Sequence, residues 1–223
     1  MQRRKLIIGT YDTALKGPWT LAACDFPEPD PQENLVDIPG RHGPLDLSTV
    51  LTEGEPIYGS RELTATLECS EGDREYRTKL INEMINRLHG RRWPITLPDD
   101  PTHYVEGRVS LKTEYNDPAH CAVSLTAACD PWKLKKVETC FTLEMQAEDQ
   151  LQALPNAGQR TVVPTIVLDG AGAWGEFTAN GQTWELDTNG VYVLPELRLP
   201  NGTTALTYHG NGTARITYRE AVL

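Results

Sequence analysis

The sequence predicts a mainly β protein with two domains, an N-terminal β-sandwich-like domain with one amphipathic helix (residues 1–132) and a C-terminal β-sandwich (residues 133–223). Three observations lead to this fold class. The 18 glycines and 16 prolines are scattered as turn punctuation. Residues 62–69 and 121–129 alternate between apolar and polar side chains, as half-buried strands do. Beyond residue 162, Asn-Gly dipeptides recur 9, 12 and 10 residues apart, a spacing typical of hairpin turns.

The N-terminal domain is predicted to be a sheet covered by one helix. Leu80, Ile81, Met84, Ile85 and Leu88 share a single helical face. Asp73 or Ser70 can cap the start of this helix, and Gly90 stands where a C′ glycine belongs. We expect Ile81→Asp or Ile85→Asp to unfold the domain, because either change would bury an unpaired charge.

The C-terminal domain is predicted from its turns. Asn-Gly at Asn180, Asn189, Asn201 and Asn211 should form two-residue hairpins, since both positions of the dipeptide tolerate positive φ. The strands between these turns would cover residues 184–186, 191–194, 205–208 and 214–218. A further turn is expected at residues 154–158, and a short strand near a sheet edge is expected around Pro94.

A stretch rich in glycine and proline, residues 38–47, is predicted to be the tip of a hairpin between residues 36–38 and 45–47. Gly40 and Gly43 permit positive φ, and Pro39 and Pro44 stiffen the backbone. Residues 27–31 alternate proline with acidic residues, and they should form a loop.

The net charge of −10 excludes some classes of partner. A sequence-independent nucleic-acid binder or a protein that docks on anionic lipid needs a basic surface. The acidity fits either simple solubility or a surface that repels DNA passing close by. No apolar run is long enough to span a membrane, and the basic start is followed by too few apolar residues for a signal peptide. The five cysteines are expected to be reduced thiols.

No motif indicates catalysis, a metal or a cofactor. The five histidines are far apart, and no phosphate-binding loop or nucleophile elbow occurs. Asp99, Asp100 and His103 could suggest acid–base chemistry, but a Pro-Asp-Asp-Pro turn accounts for the same residues. The aromatic residues of the C-terminal domain either fill its core or present an exposed ring on which a sugar could stack.

Taken together, several segments resemble the distal tail proteins (Dit) of siphophages. In the N-terminal half these are Ile38-Pro39-Gly40-Arg41-His42-Gly43-Pro44-Leu45-Asp46, Tyr58-Gly59-Ser60-Arg61 and Cys129-Asp130-Pro131-Trp132. In the C-terminal half they are residues 163–166, 190–192, 197–202 and 214–219. Their order and spacing cover nearly the whole chain.

The resemblance implies a structural protein of a phage or prophage. Its N-terminal domains would form a homo-hexameric ring at the virion tail tip, assembled in the cytoplasm of the bacterial host. The ring would lie between the tail tube protein and the tail-associated hub protein, and DNA would pass through it without specific binding. A galectin-like C-terminal domain, to which residues 137–161 contribute strands, would anchor a receptor-binding protein or other baseplate parts. No enzymatic activity, cofactor or membrane insertion is implied.

The residues expected at a subunit interface or at the channel are Gly40, Arg41, His42, Gly43, Asp46 and Arg61. The alternative function is a carbohydrate-binding module that recognises a host surface through the C-terminal sandwich.

Overall fold

The computed structural model describes residues 4–52 and 54–223, and the chain divides into two compact units. The first unit runs to residue 133 and includes Leu223, and the second covers residues 134–222. The elements of the first unit are β1 (Ile7–Ile8), β2 (Tyr11–Asp12), β3 (Thr20–Asp25), β4 (Leu35–Val36), β5 (Leu45–Asp46), the 3-10 helix η1 (Val50–Thr52), β6 (Arg61–Cys69), α1 (Arg74–Leu88), β7 (Arg92–Thr96), β8 (His103–Asn116) and β9 (Cys121–Cys129).

The remaining strands begin at the boundary between the units. They are β10 (Lys133–Lys135), β11 (Thr139–Met145), β12 (Gln150–Asn156), β13 (Thr165–Ala179), β14 (Gln182–Leu186), β15 (Gly190–Val193), β16 (Gly202–Tyr218) and β17 (Ala221–Val222). The mainly β, sandwich-like fold class and the single helix are therefore confirmed. The strands expected from residues 137–161 are β11 and β12.

The first unit is an antiparallel sheet in the order β2-β1-β7-β8-β9-β6-β3, with α1 packed on one face. Strand β6 alternates as predicted, so Leu63, Ala65 and Leu67 enter the core. Helix α1 begins where predicted, because the Asp73 carboxylate accepts from the Tyr76 N–H at 2.8 Å. Ile81 is 4% exposed, so a charge there would be fully buried.

The position of Pro94 differs from the prediction. Strand β7 is not close to an edge, because it lies between β1 and β8. The short strand β1 pairs only with Ile95 and Thr96, so Pro94 lies just past the end of that ladder. There its carbonyl accepts from the Gly9 N–H at 2.7 Å, but proline has no N–H to return that bond, and the ladder between β1 and β7 ends at this residue.

The second unit is built on two long central strands, β13 and β16. The first part of β13 pairs with β15 and its last part with β14, while β16 pairs with β12 and then with β11. Each long strand therefore contributes to two half-sheets, which enclose one apolar core. That core includes Ile166, Phe177, Leu206 and Ile216.

The Asn-Gly turns are only partly as predicted. Asn180-Gly181 is the expected two-residue hairpin, with φ of 54° and 77°, and it joins β13 to β14. Asn189-Gly190 and Asn201-Gly202 connect strands that pair with other partners, so neither is the predicted two-residue hairpin. Asn211-Gly212 is not a turn, because it lies inside the continuous strand β16. Nor is 154–158 wholly a turn, since Pro155 belongs to β12, which pairs with β16 alone and so accommodates proline at its free edge.

At Asn211-Gly212 the register shifts instead of reversing. Asp169 pairs with Thr213 and Trp174 with Asn211, so residues 170–173 bulge out opposite Gly212. Gly210 and Gly212 have φ of 151° and 100°, values that favour glycine. The bulge bends both strands and switches which side chains of β13 face the core.

Candidate assembly surface

One segment of the first unit has no core of its own. We call residues 27–60, which leave the sheet after β3 and return at β6, the arm. From residue 30 to residue 60, none of the described side chains is buried. The arm nevertheless carries several exposed aliphatic side chains, namely Leu35, Val36, Ile38, Val50, Leu51 and Ile57. Leu51 is 94% exposed, the highest value among the large apolar side chains of the described residues.

The arm is held together by backbone hydrogen bonds at its base. The Gln32 N–H donates to the Ile57 carbonyl at 2.7 Å, and the Gly59 N–H donates to the Asp30 carbonyl at 2.9 Å. Pro31 and Tyr58 form an antiparallel bridge at the same level. The arm therefore leaves and re-enters the unit through a narrow two-stranded neck.

Beyond the neck the predicted hairpin is present. Strands β4 and β5 pair antiparallel, with Val36 opposite Leu45 and Leu35 opposite Asp46. The Asp46 carboxylate accepts from the Ser48 N–H at 2.9 Å, and its hydrogen bonds with Ser48 lower the pKa of Asp46. Asp46 is thus an exposed anion on the returning strand.

The predicted interface residues Gly40, Arg41, His42 and Gly43 form the hairpin tip, and all four are exposed. The glycines have φ of 86° and 77°, and a Cβ added to either would meet nothing within 4 Å. The Arg41 N–H donates to the Ile38 carbonyl at 3.1 Å. The structure thus brings these residues together with Asp46 on one exposed hairpin.

Arg61 is placed differently from the other predicted residues. Its side chain is only 1% exposed, and its guanidinium lies over the Phe26 ring, 3.7 Å from the centroid. It donates to the carbonyls of Phe26 at 3.2 Å, Pro27 at 2.6 Å and Pro131 at 3.3 Å. Glu28 lies 3.6 Å away as the nearest carboxylate. Arg61 therefore holds, from inside the unit, the point at Phe26 and Pro27 where the arm leaves the sheet; we call this point the root of the arm.

An aromatic pair attaches the returning end of the arm, at Tyr58, to the first unit. The Tyr58 ring meets the Trp132 ring edge to face, with centroids 5.5 Å apart. Aromatic pairs in this geometry contribute about 1 kcal/mol beyond the area that they bury. Both strands of the neck are therefore attached to the first unit, while the hairpin beyond them is not covered.

The charges of the first unit are unevenly distributed. Residues 27–60 contain seven acidic residues, and Arg41 is the single basic one. Several arginines gather instead at the C-terminal end of α1 and on the adjoining strands β7 and β8. We call this set the arginine surface: Arg87, Arg91, Arg92 and Arg108. Arg92 is paired with Glu106 and Asp130, so the positive charge comes from the other three. The unit thus presents an acidic, aliphatic arm and, elsewhere, a basic surface.

The polar cluster around Asp100 is a turn. Asp100 Oδ1 lies 2.9 Å from both Thr102 Oγ1 and His103 Nδ1. Burial works to raise the pKa of Asp100, but the hydrogen bonds from His103 and Thr102 outweigh it and lower the pKa. A carboxyl group with a lowered pKa is a poor general acid.

The described residues hold neither a metal-ligand cluster nor a membrane-spanning helix. Within 4–52 and 54–223, no three His, Cys, Asp or Glu side chains come close enough to hold a metal ion. No helix among those residues has the length and apolar character needed to cross a bilayer.

Comparison with known proteins gives a match in structure. No protein-family model matches the chain, and neither does any curated protein sequence. A crystal structure of SPP1 Dit (gp 19.1), presented as a paradigm of the hub adsorption apparatus in phages that infect Gram-positive bacteria, superposes with a TM-score of 0.68. The match covers 98% of this chain and 99% of SPP1 Dit at 15% sequence identity. The resemblance predicted from the sequence is therefore confirmed at the level of the fold, and the chain has the fold of a siphophage distal tail protein over nearly its whole length.

Proposed function

We propose that this protein is a structural component of a phage or prophage tail tip whose first units assemble into a hexameric ring. The observation that carries the proposal is the arm, because a contiguous exposed apolar patch marks an interaction surface, and the arm has six exposed aliphatic side chains and no buried one among residues 30–52 and 54–60. The fold shared with SPP1 Dit supports the same function.

The partner that covers the arm is a second copy of the chain. The arm and the arginine surface carry opposite charges, so the arm of one copy can lie on the arginine surface of the next. The two surfaces differ, which makes the contact head-to-tail. A head-to-tail contact that repeats with a closing rotation generates a ring.

The ring joins the tail tube protein to the tail-associated hub protein and lets DNA pass during ejection. The chain has a net charge of −10, and an acidic lining repels the phosphate backbone so that DNA passes without specific binding. The second units anchor a receptor-binding protein or other baseplate parts. The protein has no enzymatic role, needs no cofactor, and works at the virion tail tip after assembly in the host cytoplasm.

Light scattering on the purified full chain tests the assembly, alone and mixed with tube and hub proteins. We expect the mass of six chains of 24.8 kDa each, either alone or once a partner is added. A strict monomer that also fails to bind tube and hub proteins would contradict the proposal.

Three variants test whether the arm makes the contact. Leu51→Ser should abolish assembly without lowering the melting temperature, since Leu51 contributes nothing to the core. Leu15→Ser is the matched control, because Leu15 is 79% exposed in the same unit but lies outside the arm. Arg91→Glu should also weaken assembly, and high salt should do the same to the wild type. Equal assembly by the Leu51 and Leu15 variants would exclude the arm as the interface.

A further inference from the structure

The second unit carries an exposed tryptophan among polar side chains. On the outer face of the half-sheet formed by β12, β16, β13 and β14, two cross-strand pairs lie side by side. Trp174 is opposite Asn211, and Glu176 is opposite His209. Asp149, in the loop before β12, reaches the same place, because its carboxylate lies 3.0 Å from His209 Nδ1. We call these five residues the Trp174 face.

Trp174 is the exposed ring of this unit. It is 42% exposed, whereas Phe177, Tyr208 and Tyr218 are buried in the core. The bulge at residues 170–173 causes this exposure. Ile166 and Leu168 point inward before the bulge, and an unbroken alternation would have turned Trp174 inward as well.

The polar groups of the Trp174 face are held in place. The Trp174 ring meets the His209 ring edge-on, with centroids 5.7 Å apart. His209 Nε2 lies 3.9 Å from the Glu176 carboxylate. The Asn211 amide donates towards the carbonyls of Ala171 and Gly172, at 3.3 and 3.2 Å. Each carboxylate has further lone pairs that can accept from hydroxyl groups.

We propose that the Trp174 face binds a pyranose ring of a neutral saccharide. The C–H face of a pyranose is apolar with a slight positive charge, so it packs on the electron-rich face of an indole. Its hydroxyl groups then donate to Glu176 and Asp149. The ligand is neutral rather than acidic, because these carboxylates and the nearby Glu185 would repel an anionic sugar.

A protein partner fits this face less well. A stable protein interface buries about 1,000 Å² or more around a cluster of apolar anchors. The exposed apolar side chains on this half-sheet face are Trp174 and, on β12, Leu151, and hydroxyl side chains such as Thr178 and Thr183 surround them. One ring with hydrogen-bonding neighbours suits one sugar ring.

Saturation-transfer difference NMR on the full-length protein tests the site, and it tolerates a large assembly. The probes are methyl β-galactoside, methyl β-glucoside, N-acetylglucosamine and, as the acidic comparison, glucuronic acid, each at about 20 mM, since a single shallow site binds in the millimolar range. We expect transfer to the ring C–H protons of at least one neutral probe and at least threefold less transfer to glucuronic acid.

Variants assign the signal. Trp174→Ala should reduce the transfer at least tenfold, while Trp174→Phe should retain part of it. Val191→Ala is the control, because Val191 is 69% exposed on β15 in the other half-sheet, and it should bind like the wild type. Circular dichroism confirms that the variants are folded. No transfer to any neutral probe, or equal transfer in Trp174→Ala, would overturn the proposal. Neither result depends on whether the protein forms a ring.

Discussion

The glycines at the arm tip (Gly40 and Gly43) and those at the bend of β16 (Gly210 and Gly212) all have positive φ, but their surroundings differ. Gly40 and Gly43 have positive φ in open space, and a side chain at either position would meet nothing within 4 Å of its Cβ. Gly210 and Gly212 also have positive φ, but a Cβ on Gly210 would lie 2.6 Å from Met145 Cε, and one on Gly212 would lie 2.7 Å from the Asp169 carbonyl. The tip glycines shape a free surface, whereas the bend glycines let two strands pack.

We therefore expect the bend of β16 to determine the stability of the second unit and the arm to determine assembly. The second unit needs its bend in order to close the two half-sheets around one core. The arm contributes no buried residue from 30 to 60 within the described part of the chain. Changes in the bend should therefore unfold a unit, and changes in the arm beyond its neck should affect only what the protein binds.

The largest loss of stability should come from a substitution in the bend of β16. Gly210→Val should lower the free energy of unfolding by about 4 kcal/mol, since its side chain would clash with the backbone at Trp174 and Gly175 and with Met145 while its φ stays at 151°. Chemical denaturation followed by circular dichroism measures this. Gly181→Ala is the control, because its φ is 77° but its surroundings are open, and it should cost about 1–2 kcal/mol. Equal losses in the two variants would mean that packing at the bend is unimportant.

The second largest loss of stability should come from removing Arg61, which holds the root of the arm. Arg61→Ala should destabilise the first unit by about 3 kcal/mol, because it leaves the carbonyls of Phe26, Pro27 and Pro131 without their donor. Arg61→Lys should recover only part of this, since an ammonium group cannot reproduce the planar fork of donors. Hydrogen exchange at the neck measures the effect. Full protection of the Gly59 amide in Arg61→Ala would show that Arg61 does not hold the root.

A smaller effect is expected at low pH. Burial opposes ionisation of Glu220, but hydrogen bonds from Lys135 Nζ at 2.8 Å and Thr139 Oγ1 at 2.5 Å outweigh it and lower the pKa of Glu220. The resulting stability is complete above the ordinary pKa of 4.5 and is lost as the pH falls through the lower folded-state pKa.

Comparison of two variants tests this pH dependence. Glu220→Gln should remove about 1 kcal/mol at pH 7 and flatten the acid side of the stability curve. Asp46→Asn, in the arm, should change the acid side of the curve less than Glu220→Gln does, because the hydrogen bonds with Ser48 that lower the pKa of Asp46 are fully exposed to solvent. Acid curves that match the wild type in both variants would show that Glu220 adds no stability.

The tip of the arm should have the smallest effect on folding and a clear one on assembly. Arg41→Ala should leave the melting temperatures of both units unchanged, because Arg41 lies on the exposed tip, outside either core. Gly40→Val should lower that of the first unit by a few degrees, because valine is strained at a φ of 86° although nothing lies within 4 Å of its Cβ. Both should reduce the assembled fraction seen by light scattering. Intact rings from both variants would show that the hairpin tip lies outside the interface.

The sequence predicted those elements that are stabilised by residues close together in the chain. Helix α1, its Asp73 cap and the hairpin of β4 and β5 follow from residues close together in the chain. The role of Arg61 could not be predicted, because its acceptors lie up to 70 residues away. The exposure of Trp174 could not be predicted either, because it depends on a bulge that changes which side chains of β13 face the core. Asn211-Gly212 was misinterpreted as a turn because the same dipeptide suits a hairpin and a bend.

The most direct test of the central claim is negative-stain imaging of the full chain with the tail tube and hub proteins, comparing wild type with Leu51→Ser. Our account predicts six-fold rings for the wild type, and for Leu51→Ser separate, folded monomers with an unchanged melting temperature. Six-fold rings from Leu51→Ser, or a wild type that stays monomeric with both partners present, would contradict it.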